Sequence, residues 1–221
     1  MIHFQSVLHT LQYGRLCASI ARVNTLGYGA DMTVAQKITQ DTSSLSRDGW
    51  IDCALDRLAV DGIDKVLIAP LARELGVTKG SFYWHFKDRQ DLLDAMLTRW
   101  EGVGTLDIID QVEKAGGTAD ERLRRTIELS IEQVSVRLEP ALRQWGRRDK
   151  KVRQALRRVD EHRLAFLRKL FVQLCDNEVE AEARAWLLYS LITGRHLIAA
   201  KPAQIKSKDL LKSCLAVLTG G

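Results

Sequence analysis

Prolines are scarce, three in 221 residues. With so few helix breakers, long helices are open to the chain. Aromatic residues are also few, at 6% of the total, so any cluster of them needs a reason. The four cysteines, Cys17, Cys53, Cys175 and Cys214, lie far apart and form no CxxC pair. That spacing argues against a structural zinc site and fits free thiols in a reducing cytoplasm. No run of about 18 apolar residues occurs, so no membrane-spanning segment is expected. The N-terminal stretch has no continuous apolar run of the kind a secretory signal requires.

The composition is otherwise that of an ordinary globular chain, 46% hydrophobic and 28% charged. The formal net charge of +5 and pI near 9.1 point mildly to an anionic partner. Residues 1–44 differ in texture from the rest. They carry Arg15, Arg22 and Lys37 against Asp31 and Asp41, with scattered Ser and Thr. The opening resembles a transit peptide in being poor in acids, but a poorly ordered extension, with the working chain starting near Met32, is the preferred expectation.

Helix signals begin at Ser46, an N-cap residue followed by Trp50, Ala54 and Leu58 on one face. Gly62 closes this helix. A second helix is expected over Ile68–Leu75, with Pro70 in its first turn and Gly76 as its stop. Thr78 caps a third, Lys79–His85, and Asp88 a fourth, Arg89–Glu101. After Gly102 the periodicity loosens, and Gly116 and Gly117 mark a loop. Thr118 and Glu121 form a capping-box pattern for a helix to about Leu138, which Pro140 interrupts. Asp149 caps a helix to Leu174, Asn177 one that ends before Pro202, and Ser207 a last one to about Leu218. No alternating strand pattern occurs, so the expected fold is all-α. Three parts are expected: an extension (1–44), a three-helix helix-turn-helix domain (45–101) and a helical domain (102–221).

A short helix, a tight turn at Gly76 and a second short helix form a helix-turn-helix, whose second helix enters a DNA major groove. Here the second helix opens Thr78-Lys79-Gly80-Ser81. The bare Gly80 lets the backbone approach DNA, and its neighbours offer short donors and one long cation near the base edges. Tyr83 and His85 at the helix end, with Lys87 beyond, can reach phosphates. Phe82 and Phe86, four apart, are expected in the core. Trp84 is open between packing on a neighbouring helix and meeting DNA. The whole domain is not basic, but Lys65, Arg73, Lys79, Lys87 and Arg89 outnumber Glu74 and Asp88 around this turn.

The stretch "IAPLARELGVTKGSFYWHFKDRQDLLDAML" resembles the DNA-binding segment of the tetracycline-repressor (TetR) family of transcriptional regulators. The likeness rests on Leu71-Ala72, Gly76-Val77, Gly80, Phe82-Tyr83, His85-Phe86-Lys87 and Leu92-Leu93, and with the first helix it covers about 46–101. It implies a three-helix DNA-binding domain, a helical effector pocket and a homodimer formed by the last two helices. It also implies base and nearby backbone contacts from Thr78, Lys79, Gly80 and Ser81, and phosphate contacts from Tyr83, His85 and Lys87. One departure stands out: the family often caps the second helix with Thr or Ser, where this chain has Val66, Leu67 and Ile68.

Between Arg143 and Lys169 lie eleven Lys or Arg and three Asp or Glu. A solvated helical face is preferred over a nucleic-acid patch, because Val152, Leu156, Val159 and Phe166 form an apolar stripe between the cations. His162 and Arg163 interrupt that stripe, and Trp186, Tyr189, Arg195 and His196 follow on the next helix. His162, Phe166, Trp186, Tyr189 and His196 are therefore candidate ligand contacts. The helix after Asn177 is apolar on more than one side, as is the last helix, so each must be buried on more than one side. Leu187, Leu191, Leu211 and Leu215 are the candidate dimer-interface residues. The histidines form no i, i+4 pair, and no catalytic triad order or phosphate loop is present; no metal, cofactor or catalytic residue is expected. The resulting expectation is a cytoplasmic DNA-binding regulator, a repressor released from a palindromic operator by a small molecule. The alternative is a helical enzyme or interaction module without sequence-specific DNA binding.

Overall fold

The computed structural model describes residues 46–133, 137–194, 197–198 and 207–219. The expected extension over 1–44, His196 and the side chain of Leu211 lie outside the described residues. Every regular element among those described is helical. The chain divides into two units, Met1–Met96 and Leu97–Gly221, where the sequence suggests a boundary after Glu101.

In the N-terminal unit, α1 (Arg47–Asp61) starts at Ser46, whose side chain accepts from the Gly49 amide at 3.2 Å. It ends at Gly62. A 3₁₀ turn (Ile63–Lys65) leads to α2 (Ile68–Glu74), α3 (Lys79–Tyr83) and α4 (Arg89–Glu101), within which the division falls. Gly76 closes α2 at φ +69°, a left-handed conformation that favours glycine. The Val77 amide then donates back to the Ala72 carbonyl at 2.9 Å. The core is aromatic. The Phe82 ring meets Trp50 edge-on at 5.2 Å and stacks on Phe86 at 5.2 Å. Each fully buried ring contributes on the order of 1.5–3 kcal/mol relative to exposure. Arg89 works from inside: its side chain donates to the carbonyls of Val66 at 2.6 Å and Ile63 at 2.9 Å, tying α4 to the turn before α2. It therefore leaves the set of cations that the sequence placed toward DNA. Arg57 links α1 to α2 by bonding both Asp61 and Glu74. No side chain caps α2, whose N-cap is Leu67.

The C-terminal unit departs further from the sequence-based picture. Where the pattern loosens after Gly102 the chain stays helical, passing through a π turn (Gly102–Leu106) into α5 (Asp107–Ala115). Burial of Thr105, Ile108 and Val112 outweighs the poor helix propensity of Gly102 and Gly104. The capping box is complete: the Thr118 amide donates to Glu121 at 2.8 Å, and the Glu121 amide to the Thr118 hydroxyl at 3.3 Å. It opens α6, described over Ala119–Gln133; the next described residue, Arg137, is already a turn. Pro140 does not interrupt a helix but sits in the first turn of a new one, α7 (Leu138–Gly146), where its missing N–H costs little. Then come α8 (Lys150–Phe171), capped by Asp149, α9 (Glu178–Gly194) and α10 (Ser207–Thr219). The core of this unit joins Ile108 and Val112, Leu123 and Ile127, Leu167 and Leu170, Ala185 and Leu188, and Leu215.

Candidate nucleic-acid interface and ligand cavity

Helix α3 is only five residues long, yet it separates its side chains cleanly. Phe82 is fully buried and Phe86 is 2% exposed, whereas Tyr83 is 61% and Trp84 88% exposed. Trp84 is thus no part of the core. The Thr78 hydroxyl caps the helix by accepting from the Ser81 amide at 3.3 Å. Lys79, Gly80 and Lys87 are exposed, and a Cβ on Gly80 would meet nothing nearer than the Thr78 hydroxyl at 3.5 Å. Neither lysine ammonium is ion-paired among the described residues. His85 is half-buried, edge-on to Phe86 at 6.4 Å, and lies past the end of α3, which closes two residues before the expected end. The outward side of α3 and the turn after it therefore present Lys79, Tyr83, Trp84 and Lys87 together, with Thr78 and Ser81 at the helix start.

In the C-terminal unit a mainly apolar cavity of about 60 Å³ lies among the π turn, α5, α6, α7, α8 and α9. Ile108, Ile109, Phe166, Leu167 and Ile192 form its greasy wall; Thr105, Glu139, Arg163 and Tyr189 its polar end. Of the candidate ligand contacts, Phe166 and Tyr189 line it. His162 does not: it is exposed and absent from the lining. Trp186 is also turned outward, its indole N–H donating to Glu182 at 2.7 Å.

The polar end is a charged network. Glu139, only 5% exposed, takes Arg143 at 2.9 Å on one oxygen and Arg163 at 3.2 Å on the other. Arg143 also donates to both oxygens of Asp160, at 2.8 and 3.2 Å, and the Tyr189 hydroxyl donates to Asp160 at 2.6 Å. Arg163 completes its set on the π turn, with Nε to the Thr105 hydroxyl at 3.0 Å and Nη2 to the Gly104 carbonyl at 3.1 Å. Its guanidinium lies 5.9 Å from the Trp100 ring centre. Burial, and the Asp160 carboxylate beside it, push the Tyr189 phenol well above its ordinary range, against the pull of Arg163. Burial lowers the Arg143 pKa, but the bond to Asp160 and the charges of Glu139 and Asp160 prevail and raise it. Sequence reasoning marked both His162 and Arg163 as interrupting the apolar stripe but kept only His162 as a candidate ligand contact. Yet Val159, Arg163 and Leu167 repeat every four residues, so Arg163 rather than His162 shares the buried stripe. Glu139 carried no signal, because its helix was not foreseen.

Leu215 is 2% exposed within its own unit, and Leu191 packs against the same core. Leu215 is thus taken up by its own unit's core, whereas Leu191 stays partly exposed beside it. Leu187 is exposed. Among the described residues no helix is long and apolar enough to cross a membrane, and no three potential metal ligands gather.

The helix, glycine turn and helix of α2 and α3 make this unit a helix-turn-helix. Residues 51–96 match the family model described as bacterial regulatory proteins, tetR family. The HTH-type transcriptional regulator AcrR of Shigella flexneri is 31% identical over 87 residues, 38% of this chain and 39% of that protein. The tetracycline repressor protein class D of Escherichia coli is 42% identical over 52 residues, 24% of each. The chain thus spans well under half the length of these curated relatives. A transcriptional regulator from Rhodococcus sp. Rha1 has the same fold, with a TM-score of 0.63 at 18% identity over 80% of this chain and 95% of that one. Over residues 51–96 the N-terminal unit therefore matches the model of the tetR family of bacterial regulatory proteins.

Proposed function

We propose that the chain is a transcriptional repressor that binds a palindromic operator as a homodimer and is released by a small molecule held in the C-terminal cavity. The observation that carries this is the outward side of α3. Exposed Lys79, Tyr83, Trp84 and Lys87 back onto a rigid aromatic core, in a segment that matches a family of DNA-binding regulators. In this reading Thr78, Lys79, Gly80 and Ser81 meet base edges and nearby backbone, and Tyr83, Trp84, His85 and Lys87 the phosphate side. Two such helices in a dimer reach successive major grooves about 34–36 Å apart. Exposed Leu187 on α9 and Val217 on α10 offer apolar surface to a partner copy. An effector acts only through its unequal affinity for the two dimer shapes. The cytoplasm, where operators are, is the implied location.

Selection of bound sites from random duplex DNA tests the reading. A palindrome should be enriched, and Lys87→Ala should reduce the salt dependence by about one counterion per half-site without altering the preferred sequence. Changing Lys79 should alter the preferred bases instead. No enriched sequence, or retention insensitive to salt, would defeat the reading. Leu187→Glu should yield monomers by light scattering; an unchanged dimer would exclude α9 from the interface.

A further inference from the structure

The cavity's charges are already matched to one another, and this restricts what the cavity accepts. Two guanidinium groups, Arg143 and Arg163, face two carboxylates, Glu139 and Asp160. Both oxygens of Glu139 are engaged, and Asp160 accepts from Arg143 and Tyr189. An anion entering beside Arg163 must compete with Glu139, which is almost wholly buried and cannot turn to water. A cation finds both Glu139 oxygens occupied. Either ion would lose its hydration among Ile108, Phe166 and Ile192 with no unmatched charge to meet it. A neutral molecule avoids this. The Thr105 hydroxyl accepts from Arg163 Nε, so its own hydrogen remains to donate. That hydroxyl sits at the polar end of a mainly apolar chamber; of the other hydroxyls lining it, those of Thr126 and Thr193 already donate to the Arg122 and Tyr189 carbonyls, and Ser130 lies on α6, away from Arg163 in the chain.

We infer that the cavity takes an uncharged, mainly apolar molecule bearing a hydrogen-bond-accepting oxygen, held at Thr105, and that it discriminates against ions of either sign. The inference deepens the effector site of the proposed function and rests on that reading. The Arg163–Glu139 pair is then a selectivity device. Remove the carboxylate charge and Arg163 becomes half-matched, so the preference should turn toward anions.

Calorimetric titration of the full chain at pH 7 with 2-octanone, octanoate and octylammonium, three probes of similar chain, tests this. The ketone should bind at least about tenfold tighter than either ion. Glu139→Gln should reverse the order in favour of octanoate. Should that variant not fold, the isosteric Thr105→Val gives a separate measurement, with ketone affinity falling about tenfold. Octanoate or octylammonium matching the ketone on the unaltered chain overturns the inference. So does binding by none of the three, or an unchanged ketone affinity in Thr105→Val. Site selection on DNA keeps the two claims apart. A chain that selects a palindrome but prefers octanoate loses only this inference, and one that prefers the ketone but selects no DNA loses only the regulator reading.

Discussion

Phe82 in the N-terminal unit and Glu139 in the C-terminal unit are almost equally hidden from water. Around Phe82 lie Trp50, Tyr83 and Phe86, all at ring-contact distance. Around Glu139 lie two guanidinium groups. The first environment loses stability by degrees when altered, because each contact is small and the neighbours can settle. The second does not, because removing one partner strands a charge. One unit is built to be a firm platform whose business is outside. The other keeps its polar groups within, beside a space that a ligand could fill.

The widest gap between the two should come from Glu139→Leu. It leaves Arg163 half-buried without its carboxylate and should cost roughly 3–5 kcal/mol in chemical denaturation. Adding Arg163→Leu should restore much of that, since a matched pair replaced by apolar groups is often near neutral. If the double variant is no better than the single, the ion pair is not what holds this end together. Phe82→Leu in the N-terminal unit should cost less, about 1–2 kcal/mol, with DNA affinity falling only as far as folding does.

How much of this was legible beforehand differs between the units for physical reasons. The N-terminal elements announce themselves locally: Ser46 and Thr78 as caps, Gly76 as a stop, and Phe82 and Phe86 one helical turn apart. Even so, Arg89 read as a surface cation and proved to satisfy the carbonyls of Ile63 and Val66, contacts no local pattern encodes. In the C-terminal unit the caps Thr118 and Asp149 were readable, but α5 and α7 were not. Gly102, Gly104 and Pro140 look like breakers until burial outweighs propensity. The cavity was half visible. Phe166 stood out in the apolar stripe and Tyr189 among the aromatic and polar residues of the next helix, while Arg163 and Glu139 meet across 24 residues of chain.

Smaller effects sharpen the same contrast. Thr118→Ala removes one half of the capping box and should cost about 1 kcal/mol. Thr78→Ala, at the start of α3, should cost about as much and also weaken DNA binding if that hydroxyl has a partner there. The smallest effect should be at Glu182, an exposed carboxylate that Arg168, and to a lesser degree the Trp186 indole N–H, hold down to about 2. A depressed carboxylate stabilises above its unfolded value, 4.5, and loses that contribution as pH falls toward 2. Solvent screens the pair, so Glu182→Gln should scarcely change stability at pH 7 and only slightly flatten its loss between those values. NMR titration of Glu182 gives the check; an unshifted value means the Arg168 contact does not persist in solution.

The π turn has a consequence of its own, best put as a matter of phase. Trp100, Thr105, Ile108 and Val112 are all buried, though their spacings run five, three, four. A regular α-helix advances about 100° per residue, so a spacing of five would swing Thr105 far from the face that holds Trp100. The wider turn absorbs the extra residue and brings the two stripes back into line. Arg163 grips that turn at the Gly104 carbonyl and the Thr105 hydroxyl. The segment is therefore a one-residue phase shifter under a clamp: were it to tighten into an ordinary turn, everything beyond it would be rotated by about one residue's angle relative to Trp100.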